Sequence, residues 1–149
     1  PRFQPPERPV ATPEEVERMC ATLNENSYND LMRLVAIRMM WDSMIRVSEL
    51  VDLNVSDIVS QKNFTEIIGK KNYKKRWIMW SENTHRLLMK YVEKRKAFSD
   101  HEALFVHESN GSCQRLATRS VERWLKIARE KAGIEKAISC HAFTARWRS

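Results

Sequence analysis

Three groups of residues carry charge in patterns that chemistry could use. In Ile45-Arg46-Val47-Ser48-Glu49-Leu50 an arginine follows directly on a long apolar segment. A guanidinium at the mouth of a core is costly to leave uncompensated, so it pairs with a carboxylate or binds an anion. An anion site at Arg46 and a structural Arg46–Glu49 pair both fit the spacing. The second group, Gly69-Lys70-Lys71-Asn72-Tyr73-Lys74-Lys75-Arg76, packs five cations into eight residues. Like charges this dense repel one another, and a loop gains from them when a polyanion arrives. Such a tip suits a phosphate backbone or a groove, and a lysine fixed on it could protonate a leaving oxygen. A solvated basic turn is the simpler alternative. The third group is Arg115, Arg119, Arg123 and Lys126, recurring at i, i+4, i+8 and i+11, with Val121, Trp124, Leu125 and Ala128 opposite. That pattern makes an amphipathic helix whose polar face is positive, suited to phosphates or simply to water.

The bulk properties point the same way. Lysine and arginine number 26 against 19 acidic residues, a net charge of +7, which favours a polyanionic partner such as nucleic acid. Charges interrupt every apolar stretch, so no run reaches the ~20 residues of a membrane span. The N-terminus, Pro-Arg-Phe-Gln-Pro-Pro-Glu-Arg-Pro, has no signal-peptide core. Cys20, Cys113 and Cys140 are odd in number and far apart, which suits free thiols and a cytoplasmic setting. The four histidines, His85, His101, His107 and His141, lack metal-ligand spacing. Three glycines leave little room for a nucleotide-cradling loop, and no G-x-S-x-G elbow occurs.

The elements that must position these groups can be read from periodicity. Residues 1–12 read as a proline-rich linker from a missing N-terminal DNA-binding domain, and residues 13–149 as one domain. Thr12-Pro13-Glu14-Glu15 is a capping box that opens a helix over about 13–24. A mostly buried helix spans Ser27 to Ser43 and a short one Val47 to Val51. Three β segments follow, Val55–Val59, Phe64–Ile68 and Trp77–Trp80, the last two forming a hairpin around the basic tip. A helix over 82–98 turns Leu87, Leu88, Tyr91, Val92 and Ala97 inward. Leu104–Val106 reads as a short strand and Ser109-Asn110-Gly111-Ser112 as a turn. A helix over 117–132, capped by Ala117 or Thr118, stops at Gly133. The tryptophans, Trp41, Trp77, Trp80 and Trp124 among them, fall mainly on faces that read as core. The fold class is mainly α with a small antiparallel sheet.

In this order the segments resemble the tyrosine recombinase (phage integrase) family, from about Thr12 to Phe143. Trp41-Asp42-Ser43-Met44-Ile45-Arg46-Val47-Ser48-Glu49-Leu50 resembles the family's "TGLRxSEL" box I, and Val55-Ser56-Asp57-Ile58 its continuation. Ile68-Gly69-Lys70-Lys71 through Trp80 resembles the "GKGxKxR" hairpin. Ser139-Cys140-His141-Ala142-Phe143 resembles the start of box II, "H-x-L-R-H". The resemblance implies a catalytic domain that cuts and rejoins duplex DNA through a 3′-phosphotyrosyl intermediate, without metal or other cofactor. Arg46 would bind the scissile phosphate, with Glu49 as structural support. The general acid would be Lys71, counting back from Arg76, or Lys70, counting from Gly69. His141 would orient the phosphate or move a proton. Lys70, Lys74, Lys75, Arg76, Arg115, Arg119 and Arg123 would contact DNA.

Two departures follow. Box II should carry an arginine three residues after its histidine, but position 144 is Thr; Arg146 lies two further on, about 200° around a helix. Codons for Thr144 to Ser149, read one base later, can spell Arg-His-Ala-Gly-Ala, which would restore the box. Tyr28, Tyr73 and Tyr91 lie outside the motif context of a nucleophile. The expectation is therefore a C-terminally incomplete catalytic domain from a phage, virus or mobile element, inactive alone. It would be monomeric as this fragment and tetrameric on DNA in the full protein, cytoplasmic or bound to the host nucleoid. A non-catalytic DNA-binding relic or regulator and a helical protein–protein module are the alternatives.

Overall fold

A computed structural model describes residues 11–69, 72–97, 99–109 and 111–135. Helix α1 (Pro13–Ala21) opens on the expected capping box: Thr12 accepts from the Glu15 N–H, and the Glu15 carboxylate accepts from the Thr12 N–H. Helix α2 (Tyr28–Ser43) is the centre of the core, with Leu31, Val35, Ala36, Ile37, Met39 and Met40 at 1% exposure or less. Helix α4 (Glu82–Lys96) packs along it through Leu87, Leu88 and Tyr91, and α5 (Thr118–Lys131) adds Val121, Trp124 and Leu125. Each large apolar side chain buried this way contributes ~1.5–3 kcal/mol. Between α2 and α4 lie the short α3 (Val47–Val51) and a hairpin of β1 (Phe64–Ile68) and β2 (Lys75–Met79). A second hairpin, β3 (Val106–Ser109) and β4 (Ser112–Arg115), precedes α5.

The β content departs from the sequence reading. Val55–Val59 is not a strand. Val55–Asp57 forms a 3-10 turn, closed where the Asp57 carboxylate accepts the Asn54 N–H at 2.8 Å and the Asp57 N–H donates to the Asn54 carbonyl. Short polar side chains that bond their own backbone compete with a ladder in this way. Only single bridges, Asn54 to Ala103 and Val59 to Lys62, remain around it among the described residues. The strand placed at Leu104–Val106 begins instead at Val106, and β4 completes a hairpin that was read as a turn alone. Gly111 supplies the positive φ (79°) that a two-residue connection requires.

Three smaller differences concern side chains. Ala97 is exposed rather than inward, because α4 ends at Lys96 and the chain turns outward there. Trp77 is 64% exposed although Trp80 and Trp124 are core, because the two-stranded β1–β2 sheet has only one covered face. Phe64 and Trp77 meet edge to face on its open side. Helix α5 has Ala117 as its N-cap, one of the two positions expected, but no side-chain cap bond forms there.

Candidate functional site

Arg46 is placed by what precedes and follows it. Helix α2 ends at Met44 in the left-handed conformation (φ 57°), which reverses the chain. Box I has glycine at that place, because a Cβ is strained there by roughly 1 kcal/mol. Ile45 and Leu50 are then buried to 1% and 0%, so the backbone on both sides of Arg46 is anchored while its side chain stays exposed. Asp42 fixes the end of α2 to α4: one of its oxygens accepts from the Ser81 N–H at 3.0 Å and the Thr84 hydroxyl at 2.6 Å. Among the described residues the Arg46 guanidinium has no hydrogen-bond or ion-pair partner.

Glu49 does not pair with that guanidinium, although the spacing allowed it. Its carboxylate, 5% exposed as a residue, accepts the Arg46 backbone N–H at 3.0 Å and both Nη atoms of Arg76 at 2.7 and 2.8 Å. Burial alone would push the Glu49 carboxyl up. The two Arg76 hydrogen bonds, the Arg46 N–H and the two guanidinium charges outweigh it and hold the group below its ordinary value. Gly69 closes this corner. A Cβ on it would come within 3.0 Å of the Asn72 side-chain oxygen and 3.8 Å of a Glu49 oxygen. The tip is drawn tight by the Gly69 N–H donating to Lys74, the Tyr73 N–H to Gly69, and the Lys74 N–H to the Asn72 side chain.

Arg76, expected to contact DNA, has its guanidinium bonded to Glu49 with the side chain 41% exposed. Arg115 was placed on the basic face of the last helix, and that placement is corrected. It lies on β4 with its guanidinium turned inward, donating to the carbonyls of Val51 (2.9 Å) and Leu53 (3.2 Å) and to the Asn54 side chain (2.6 Å). Arg119, Arg123 and Lys126 are exposed on α5, with Glu122 beside them. Lys74 and Lys75 are exposed on the hairpin. Lys70, Lys71 and His141 lie outside the described residues. Beneath the hairpin a cavity of about 200 Å³ is lined by Glu49, Asp52, Leu53, Asp57, Glu66, Ile67 and Ile68. No group of three or more His, Cys, Asp or Glu among the described residues could hold a metal ion.

Sequence reasoning missed Gly69 as a packing position and Asp42 as the link between the end of α2 and the start of α4. It turned Tyr91 inward but missed its stacking on the half-buried Tyr28. The Tyr91 hydroxyl donates to the Leu104 carbonyl at 2.8 Å and the Tyr28 hydroxyl to that of Val106 at 2.9 Å. Burial pushes both phenols above their ordinary value. Tyr73, by contrast, is 81% exposed on the hairpin tip. No described helix is long and apolar enough to cross a membrane.

A helical domain with this anchored arginine and basic hairpin has the architecture of a tyrosine recombinase catalytic domain. The profile of the phage integrase family matches residues 9–147, and the chain belongs to that family. It is 28% identical over 121 residues to tyrosine recombinase XerC of Leptospira interrogans, covering 80% of this chain and 38% of that protein. Tyrosine recombinase XerA of Pyrococcus furiosus is 30% identical over 124 residues, 83% of this chain and 42% of that protein. The chain thus spans about two-fifths of the length of these relatives. A crystal structure of XerA recombinase superposes with a TM-score of 0.77 at 26% identity, covering 94% of this chain and 49% of that one. A lambda integrase tetramer bound to a Holliday junction shares the fold, with a TM-score of 0.68 at 16% identity over 96% of this chain and 40% of that one.

Proposed function

We propose that this chain is part of the catalytic domain of a site-specific DNA recombinase, which binds duplex DNA and receives the scissile phosphate on Arg46. The observation that carries the reading is the Arg46 guanidinium: exposed, without a described partner, on a backbone anchored by Ile45, Leu50 and Glu49, in a chain of this family. A solvent-facing guanidinium on an anchored backbone stabilises charge developing on phosphate oxygens, and the anchored backbone keeps it at the place where that charge develops. The hairpin lysine, Lys71 or Lys70, is the general acid for the 5′ leaving oxygen, and His141 assists at the phosphate. The attack is by a tyrosine, giving a 3′-phosphotyrosyl enzyme. The hydroxyls of Tyr28 and Tyr91 are bonded to backbone carbonyls and Tyr73 sits on the hairpin tip, so the nucleophile is assigned to none of them and this chain alone binds rather than cleaves. Lys74, Lys75, Arg119 and Arg123 supply the phosphate contacts. The fragment is a monomer in solution, the assembly on DNA is a tetramer, and the protein works in the cytoplasm or on the nucleoid of a cell that a mobile element has entered.

The test is duplex binding followed by fluorescence anisotropy across a salt series. A protein that neutralises ~6 phosphates loses about three decades of affinity between 50 and 200 mM salt. An affinity flat with salt would remove the recombinase reading and leave a protein–protein module.

A further inference from the structure

The hairpin is fastened at both ends, by different means. At its base the Asn63 side chain donates to the Trp80 carbonyl, the Trp80 indole N–H donates to His85 Nδ1, and His85 Nε2 meets the Ser60 carbonyl at 2.8 Å. At its tip the fastening is the Glu49 carboxylate, gripped by Arg76 through two near-parallel hydrogen bonds and overlain by Gly69. The same carboxylate holds the Arg46 backbone. We propose that Arg76 is a positioning residue and not a phosphate contact: through Glu49 it fixes the tip of the β1–β2 hairpin in register with Arg46.

The chemistry favours arginine for this task. A planar fork meets both carboxylate oxygens and sets an orientation, whereas a lysine ammonium could satisfy the charge without fixing the angle. The result is a rigid path from the Arg46 N–H through Glu49 and Arg76 into β2. Gly69 lets the opposite strand lie close to the same carboxylate, since a Cβ there would sit 3.0 Å from the Asn72 side-chain oxygen, which would have to give way. Lys70 and Lys71 are joined to Gly69 by one and two peptide bonds, so whichever lysine gives the proton starts from a fixed point within ~8 Å of it along the chain. The inference rests on the recombinase reading for what the tip does, but not for how the tip is held.

The experiment compares the chain with its Arg76→Gln and Arg76→Lys variants by amide hydrogen exchange and by the salt dependence of duplex binding. In Arg76→Gln the amides of Gly69, Tyr73 and Lys74 are expected to exchange at least about tenfold faster, while those of Leu88 and Tyr91 in α4 stay unchanged, because only a local opening is released. Arg76→Lys is expected to recover part of that protection, and it keeps the test valid should the glutamine variant fold poorly. The slope of log affinity against log salt is expected to be the same for all three proteins. Hairpin amides as protected in Arg76→Gln as in the parent would overturn the proposal, as would a slope lowered by about one, the mark of a lost phosphate contact. If the parent chain itself shows no salt-dependent binding, the recombinase reading fails, and the exchange data alone decide the role of Arg76.

Discussion

The two hairpins each direct an arginine at α3, and they do it with different chemistry. From β2, Arg76 meets the N-terminal part of α3 through a carboxylate, the nearly buried Glu49. From β4, Arg115 meets its C-terminal end mainly through neutral groups, the carbonyls of Val51 and Leu53 and the side chain of Asn54, with the exposed Glu102 carboxylate farther off at 3.9 Å. The first contact is charged on both sides and titrates; the second rests on backbone carbonyls at and past the end of the helix, that of Leu53 also accepting the Leu104 N–H, and its one carboxylate is exposed and distant. Together they clamp the five-residue helix that follows Arg46, which is too short to be stable by itself. Cations that look alike in the sequence therefore divide into two kinds. Arg76 and Arg115 build the site, and Arg46, Lys74, Lys75, Arg119 and Arg123 face outward from it.

Removing either clamp should show the difference. Arg76→Ala leaves the Glu49 carboxylate buried without its partner, and the loss of stability in chemical denaturation is expected to be about 2–3 kcal/mol, tempered by the 41% exposure of the guanidinium side chain. Arg115→Ala leaves carbonyl groups less well satisfied, and about 1–2 kcal/mol is expected by the same measurement. If Arg115→Ala costs more than Arg76→Ala, the charged clamp is not the stronger one.

Acid should separate the two variants further. The Glu49 carboxyl sits below its ordinary value when folded, so its contribution is complete above the unfolded carboxyl range of ~4.3 and is lost as pH falls through the lower folded value. The stability gap between the parent and Arg76→Ala is expected to narrow as pH falls through the carboxyl range, and to do so more than the gap to Arg115→Ala, whose one carboxylate partner is the exposed Glu102. Parallel pH profiles for the two variants would mean that Glu49 is not what Arg76 holds.

The smallest effect concerns the turn before Arg46. Met44 holds a left-handed conformation with a side chain that is not part of the packed core. Met44→Gly is expected to raise stability by about 0.5–1 kcal/mol, strain relief outweighing the freedom gained by the unfolded chain. Thermal denaturation reads this directly, and a lowered midpoint would show that the methionine contributes contacts worth more than its strain.

Local patterns carried far in this chain and long-range pairs did not. The capping box at Thr12, the all-round apolarity of α2 and the alternation of β1 and β2 are written in adjacent residues, and each fixes its element without reference to the rest. The 3-10 turn at Val55–Asp57 was hidden because its β-favouring residues Val55 and Ile58 flank an Asp57 that bonds back to Asn54. The β3–β4 hairpin did have a local signal, the Asn110-Gly111 pair, which marks a connection between two strands rather than a bare turn. The destinations of Arg76 and Arg115 had no such signal. Their partners stand 27 and 61–64 residues away, and nothing in a run of cations tells which will fold inward. Box I was legible as a motif, but the division of labour around Glu49 needed the fold.

The division between building and binding cations is tested most directly by salt slopes measured on one duplex for the parent chain and four single variants. Arg119→Gln and Arg123→Gln should each lower the slope of log affinity against log salt by about one, while Arg76→Gln and Arg115→Gln leave it where it was. Equal losses of slope across all four variants would contradict the account, because Arg76 and Arg115, bonded within the protein, would then be meeting phosphates after all.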